Sequence, residues 1–237
     1  MRILYAVRGI ASETRPAFRD RVLAFARDAL APSAGSVVVA LTEERPPALS
    51  AIPFRKDLMA LISLDGLPNK PDWPVPPQGF YGAWEGEAAF PVVHERTWPL
   101  GERSPGAGLL TFLRRKRGLA DEEFLRRWFE GHTPLTLEVH PNVGYVRNRV
   151  INTYPEAGYV AVPPLAGGPE RPGEPEIWDG IVEEQYDPAS DLLNPARFFG
   201  GSLTRMPGTM LRVYRDVKGF LDYPTIRSWL TREYRLK

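Results

Sequence analysis

The sequence contains no cysteine, and this absence excludes several kinds of chemistry. Disulfide bonds, thiolate nucleophiles and zinc sites with cysteine ligands are all excluded. The chain also lacks any run of about 18 apolar residues, so neither a membrane-spanning helix nor a membrane partner is predicted. Residues 1–8 contain only a short apolar run, which does not fit a signal peptide. We therefore expect a cytoplasmic protein.

A surplus of basic charge is absent as well. Lysine and arginine together number 30, and aspartate and glutamate number 29, which gives a formal net charge of +1. Nucleic-acid binding requires clustered positive charge, so no nucleic-acid partner is predicted. The histidines, His94, His132 and His140, lack the spacing of a metal site, and neither nucleotide-binding glycine motifs nor a hydrolase serine motif occur. The sequence therefore predicts neither a metal nor a cofactor.

Proline is abundant, with 25 residues, and its clusters divide the chain. Residues 101–108 form the clearest linker, which predicts two units, residues 1–103 and 109–237. The strings Gly9-Ile10-Ala11-Ser12 and Gly118-Leu119-Ala120-Asp121 open the first helix of each unit, and each follows a strand with a basic end. Both units fit the β-α-β-β-α-β order of ferredoxin-like folds. We predict an α+β protein made of two tandem ferredoxin-like halves.

Four assignments of individual elements follow from residue periodicity. Residues 55–64 fit a helix with apolar residues on its inner face. The helix that begins at Asp121 is expected to end near Pro134, because proline interrupts helices. Residues 210–217 alternate as a final strand would, and residues 223–236 have helical character.

The helix that begins at Asp121 carries the best candidate for chemistry. At about 100° per residue, His132 projects with Trp128 from the apolar face formed around Phe124, towards the sheet. Two interpretations stay open: a buried histidine bonded inside the core, or a titratable acid–base group that faces a cavity. On the following strand, Tyr145 and Asn148 lie on opposite faces, and the face of Asn148 fits a pocket wall.

Several short features, in order, resemble the EthD family. They are the basic strand end and helix start Arg114-Arg115-Lys116-Arg117-Gly118-Leu119-Ala120-Asp121-Glu122-Glu123-Phe124, then Trp128, His132-Thr133-Pro134-Leu135 and Tyr145-Val146-Arg147-Asn148. The resemblance spans residues 109–152. It implies a dimeric α+β barrel whose two antiparallel sheets pack face to face, either between two chains or between tandem halves. On this resemblance we expect the tandem ferredoxin-like halves to form such a barrel. His132 matches the histidine at the helix end of that family, and residues 1–103 lack the corresponding motif.

The resemblance implies an enzyme as the first hypothesis. Its relatives include cyclases, isomerases, lyases and cofactor-free oxygenases, so we expect a cofactor-independent lyase, isomerase or cyclase acting on a small aromatic or polyketide-like molecule. His132 would act as acid or base, Trp128, Tyr145 and Asn148 would orient the substrate, and Phe198 and Phe199 would form walls. The alternatives are a non-catalytic binding or assembly module and a haem-binding relative with His132 as axial ligand. A homodimer is possible, and His94 fits an exposed strand residue.

Overall fold

A computed structural model describes residues 1–48, 50–67, 74–89, 98–154 and 178–237. His94 and the prediction for it lie outside these residues. The chain forms eight β-strands and six α-helices within the described part. The strands are β1 (Arg2–Arg8), β2 (Ser36–Leu41), β3 (Met59–Asp65), β4 (Phe80–Ala89), β5 (Ala107–Leu113), β6 (Gly144–Thr153), β7 (Gly180–Tyr186) and β8 (Arg227–Arg235). The helices are α1 (Arg15–Phe25), α2 (Asp121–Arg126), α3 (Thr133–Val139), α4 (Ser190–Leu193), α5 (Pro195–Phe198) and α6 (Met206–Phe220).

The eight strands form one closed antiparallel barrel in the order β1-β3-β2-β8-β5-β7-β6-β4. The strands of each half are contiguous in this order. The first half contributes β4-β1-β3-β2, and the second contributes the corresponding order β8-β5-β7-β6. The halves join through the pairs β2–β8 and β4–β6. The barrel therefore closes within one chain and leaves no strand edge unpaired among its eight strands.

Successive side chains of each strand point alternately into the barrel and away from it. They therefore form an inner core, inside the barrel, and outer cores between the barrel and the helices. The inner core is aromatic: Phe112 lies between Trp84, Trp178 and Trp229, with ring centroids 5.7, 5.3 and 5.2 Å away. The outer face of the first half carries residues such as Tyr5, which α1 covers. The outer face of the second half packs against α2 to α6 in two clusters. Side chains from both halves thus fill the barrel, as in other small barrels.

The predicted helix over residues 55–64 is wrong, because this segment contains β3. In β3, six of the seven residues are buried, so both of its faces are covered. A strand covered on both faces is a continuous apolar run, which periodicity alone does not distinguish from a buried helix. The connection between β3 and β4 contains no helix in its described residues, 66–67 and 74–79.

The predicted strand over residues 210–217 and the predicted helical character of residues 223–236 are also wrong. The first segment is helical and the second contains a strand. Residues 210–217 belong to helix α6, and residues 223–236 contain strand β8. Met210, Val213 and Val217 recur at helical spacing on the face of α6 that packs on the outer cores. β8 is buried on both faces, with Trp229 in the inner core and Leu230 outside. The antiparallel α+β class is confirmed.

None of the helices that the structure describes combines the length and the hydrophobicity needed to cross a membrane.

Candidate functional site

His132 is the last residue of a π-helical turn, Arg127–His132, that connects α2 to α3. The helix does not end near Pro134 as predicted, because this proline occupies the first turn of α3. There a missing backbone N–H breaks no helical hydrogen bond. Wide turns of this kind displace side chains from the regular helical positions and are frequent at functional sites. The turn therefore gives His132 an orientation that an α-helical wheel does not describe.

The His132 ring points to helix α6 and is partly accessible to solvent. Its Nδ1 lies 2.7 Å from Oδ2 of Asp216, and its Nε2 lies 3.2 Å from Oγ1 of Thr136. The Phe220 ring covers it, with centroids 5.4 Å apart. The side chain is 16% exposed, and that of Asp216 is 30% exposed. The ring is thus neither fully solvated nor completely enclosed.

The contact with Asp216 determines which nitrogen carries the proton. An ionised carboxylate only accepts hydrogen bonds, so Nδ1–H donates to Asp216 and Nε2 keeps its lone pair in the neutral ring. The Thr136 hydroxyl can donate to that lone pair. A carboxylate behind the imidazole also stabilises the ring when it gains a proton. His132 and Asp216 therefore form a hydrogen-bonded pair, and we refer to them as the His132–Asp216 pair.

Buried polar groups of the sheet lie beneath this pair. The Tyr186 hydroxyl donates to Oε2 of Glu184 at 2.5 Å. Burial raises the pKa of Glu184, while Tyr186 and the nearby His132 act in the opposite direction. Burial also raises the pKa of Tyr145, whose hydroxyl lies beside Trp128 and Thr133. These phenols stay protonated near neutral pH, so they can serve as hydrogen-bond donors.

The structure distributes the predicted site residues over three places. Tyr145 lies on the same side of the sheet as His132, within the second outer core. Asn148 faces the barrel interior instead, where its Nδ2 donates to Glu183 at 3.0 Å. Phe198 and Phe199 pack on His140, with ring centroids 3.9 and 5.5 Å away. Asn148 therefore does not share a site with His132.

Trp128 has a packing role in the structure. Its side chain is completely buried, and its ring covers Gly180 of β7 so closely that a Cβ added there would lie 2.4 Å from the indole. The tryptophan and the glycine together set the distance between the helix that carries His132 and the sheet.

Replacement of Gly180 by alanine should therefore destabilise the protein by about 1–3 kcal/mol through overpacking. Gly131→Ala is the matched control, because no atom lies within 4 Å of the corresponding Cβ. It should stabilise the helical turn by up to about 1 kcal/mol. Urea denaturation measures both changes, and equal effects of the two variants would contradict the packing role of Trp128.

Asp216 is the residue that sequence reasoning missed. It lies on α6, which periodicity assigned as a strand, and so no carboxylate was expected opposite His132. The helical spacing of Val213, Val217 and Phe220 is the signal that could have located it, because Asp216 precedes Phe220 by four positions and shares its face.

A comparison with protein families finds a match in the second half of the chain. Residues 116–222 match the family model of the EthD domain. This segment is an EthD domain. It contains the whole helical layer of the second half, from α2 to α6, and therefore both members of the His132–Asp216 pair. Comparison with curated proteins finds no match to the chain.

Proposed function

We propose that the EthD domain is an acid–base catalyst, a cofactor-independent lyase, isomerase or cyclase for a small aromatic or polyketide-like molecule. The observation that carries this proposal is the 2.7 Å contact between Nδ1 of His132 and Asp216 on a partly exposed ring. Such a contact directs the basic nitrogen away from the carboxylate. The apolar Phe220 beside the ring suits a substrate that is itself largely apolar.

In this proposal His132 moves one proton. Its Nε2 accepts a proton from an acidic C–H or O–H bond of the substrate, and Asp216 stabilises the resulting imidazolium. The Thr136 hydroxyl, which lies 3.2 Å from Nε2, would turn to bond the substrate instead. His132 then returns the proton to another position of the product, so the reaction needs no oxidant. General acid–base catalysis of this kind contributes about 10²–10⁴-fold to a rate.

The test begins with the substrate. Small molecules that co-purify with the protein are identified by mass spectrometry and assayed for turnover, together with a set of aromatic and polyketide-like compounds. His132→Gln should lower kcat by about 10²-fold or more and leave binding nearly unchanged, because glutamine keeps a donor to Asp216 but accepts no proton. Glu138→Gln, an exposed change on the next helix, is the control and should retain full turnover.

A folded His132→Gln protein with wild-type kcat would overturn the catalytic role. A non-catalytic binding module is the second candidate, since both ring nitrogens of His132 already have partners within the protein. It predicts ligand binding without turnover in the wild type. A haem ligand at Nε2 would have to displace the Thr136 hydroxyl.

We propose the two halves, residues 1–103 and 109–237, as tandem ferredoxin-like units. The corresponding strand orders of the halves support this division. A π-helical turn also follows the first helix of each half, Ala26–Leu30 after α1 and Arg127–His132 after α2. A homodimer would have to use outer surfaces, because β2 and β4 pair with β8 and β6 of the same chain. The cytoplasmic location stays a prediction.

A further inference from the structure

We propose that a cleft in the first half of the barrel, separate from His132, binds a small organic anion with two negative charges, such as a phosphate monoester or a dicarboxylate. The cleft has a volume of about 960 Å³, which is within the range of small-molecule sites. It is formed by the turn between β1 and α1, the connection between β2 and β3, and the residues just before β3.

Positive charge exceeds negative charge in the cleft lining. The lining contains four basic residues, Arg8, Arg15, Arg45 and Lys56, and two carboxylates, Glu13 and Asp57. The guanidinium group of Arg8 stacks on the Tyr81 ring, 3.8 Å from its centroid. The guanidinium group of Arg21 holds both oxygens of Glu13, at 2.7 and 2.8 Å. Asp57 accepts a hydrogen bond from Arg55 at 3.3 Å. Each carboxylate thus has an arginine partner from outside the lining, while Oδ2 of Asp57 is buried without a hydrogen-bond partner among the described residues. The basic residues of the lining still outnumber its carboxylates by four to two.

Arg15 provides the strongest argument for an anion site. Its Nη2 donates to the Lys56 carbonyl oxygen at 3.3 Å, whereas its Nη1 is buried and has no hydrogen-bond partner among the described residues. Burial lowers the pKa of Arg15, and the positive charge of Arg45 lowers it further. Two guanidinium groups that repel each other, one with an unused buried donor, are the arrangement that an oxyanion would stabilise.

The backbone adds to this preference for an anion. Helix α1 begins at Arg15, and the first residues of the helix line the cleft. The positive end of the helix dipole therefore lies at the site, together with the arginines. Ile10, Pro16 and Leu58 supply an apolar wall on the same cleft. A ligand with an anionic head and a hydrocarbon or aromatic part fits both features.

The test is calorimetric titration of the full chain with two probes, phenyl phosphate and succinate. The wild type should bind at least one of them saturably, and the preferred probe identifies the class of anion. Arg15→Gln and Arg45→Gln should each weaken binding by about tenfold, since each removes a charge-assisted contact. Without ligand, Arg45→Gln should melt no lower than the wild type, because the repulsion of Arg15 is relieved. This opposite effect on binding and stability distinguishes a ligand site from a structural role.

Two control variants complete the experiment. Arg27→Gln removes the same charge from the exposed surface of the helical segment that follows α1, and it should bind as the wild type does. His132→Gln should also bind normally, so a failure here is independent of the proposed catalysis in the EthD domain. The proposal is overturned if the wild type binds neither probe, or if Arg15→Gln, Arg45→Gln and Arg27→Gln all bind with equal affinity.

Discussion

Replacement of Glu183 by alanine is expected to lower the free energy of unfolding by about 3–5 kcal/mol, since it breaks a buried ion pair by removing one partner. Glu183 accepts from Arg2 at 3.0 Å inside the barrel, and the two side chains are 6% and 10% exposed. Ser63 and Asn148 also donate to its carboxylate, at 3.2 and 3.0 Å. The variant would leave Arg2 with Asp65 as its remaining carboxylate partner. The Ser63 hydroxyl would lose its acceptor, and Nδ2 of Asn148 would keep only the Ile181 carbonyl oxygen.

The adjacent Glu184 offers a matched control with the opposite expectation. It lies on the other face of β7, and burial raises its pKa. Because the pKa of Glu184 is raised in the folded state, its protonated carboxyl group contributes most to stability at low pH. This contribution is lost as pH rises through the pKa of the folded state. Glu184→Gln keeps an acceptor for Tyr186 and removes the buried charge. It should therefore be neutral or stabilising at neutral pH.

Urea denaturation of Glu183→Ala and Glu184→Gln at pH 7 compares these neighbouring positions directly. A large loss for Glu183→Ala only is the expected result. Equal losses would show that burial alone, and not the network around Arg2, determines the cost. Because Asn148 belongs to this network, its amide stabilises the barrel interior.

The sequence predicts the fold class and the family well, for a physical reason. β1, α1, β2, β5, β6 and β7 each have a covered face with regular periodicity or a short run of β-branched residues, so their local patterns agree with the final structure. The resemblance to the EthD family, drawn from residues 109–152, is confirmed by the match over residues 116–222. The expectation of an α+β barrel came from this resemblance, whereas closure of the barrel within one chain depends on pairings that local patterns do not contain.

Three elements are misassigned where tertiary contacts override local patterns. β3 and β8 are covered on both faces, so neither has the alternation of a strand with one exposed face. Helix α6 has a narrow apolar stripe with charged residues on both sides, and a short part of it resembles an alternating strand. In each case, the secondary structure depends on which neighbouring elements cover the segment, and the local sequence does not contain this information.

The candidate site shows the same division between local and long-range information. The helical wheel correctly groups His132 with the apolar side chains of its own helix, since this depends on neighbours in sequence. The predicted direction towards the sheet is wrong, because after the π-helical turn the ring points to helix α6. Its partner Asp216 is 84 positions away, and only the packing of α6 against the π-helical turn brings the two together. Strand alternation likewise correctly places Tyr145 and Asn148 on opposite faces of β6. It does not reveal that one face is the closed interior of a barrel.

His140 should make the protein sensitive to acid. Burial lowers the pKa of His140 to about 4, and its Nδ1–H donates to the Phe198 carbonyl oxygen at 2.7 Å. In the unfolded chain the pKa is about 6.5. As pH falls from about 6.5 to 4, the unfolded chain binds a proton that the folded protein does not, so stability is lost in this window. At about 1.4 kcal/mol per pH unit the loss approaches 3 kcal/mol, and protonation of Glu184 offsets part of it.

The measurement is the free energy of unfolding at pH 7 and at pH 4.5 for the wild type and for His140→Gln. Glutamine can still donate to the Phe198 carbonyl oxygen but does not titrate. The variant should be less stable than the wild type at pH 7, because it loses the stacking on Phe198. It should lose much less stability on acidification. His132→Gln removes the partly exposed histidine of the same domain and should keep most of the wild-type acid dependence. If His140→Gln and the wild type lose equal stability between the two pH values, then His140 is not the buried neutral group that makes the EthD domain acid-sensitive.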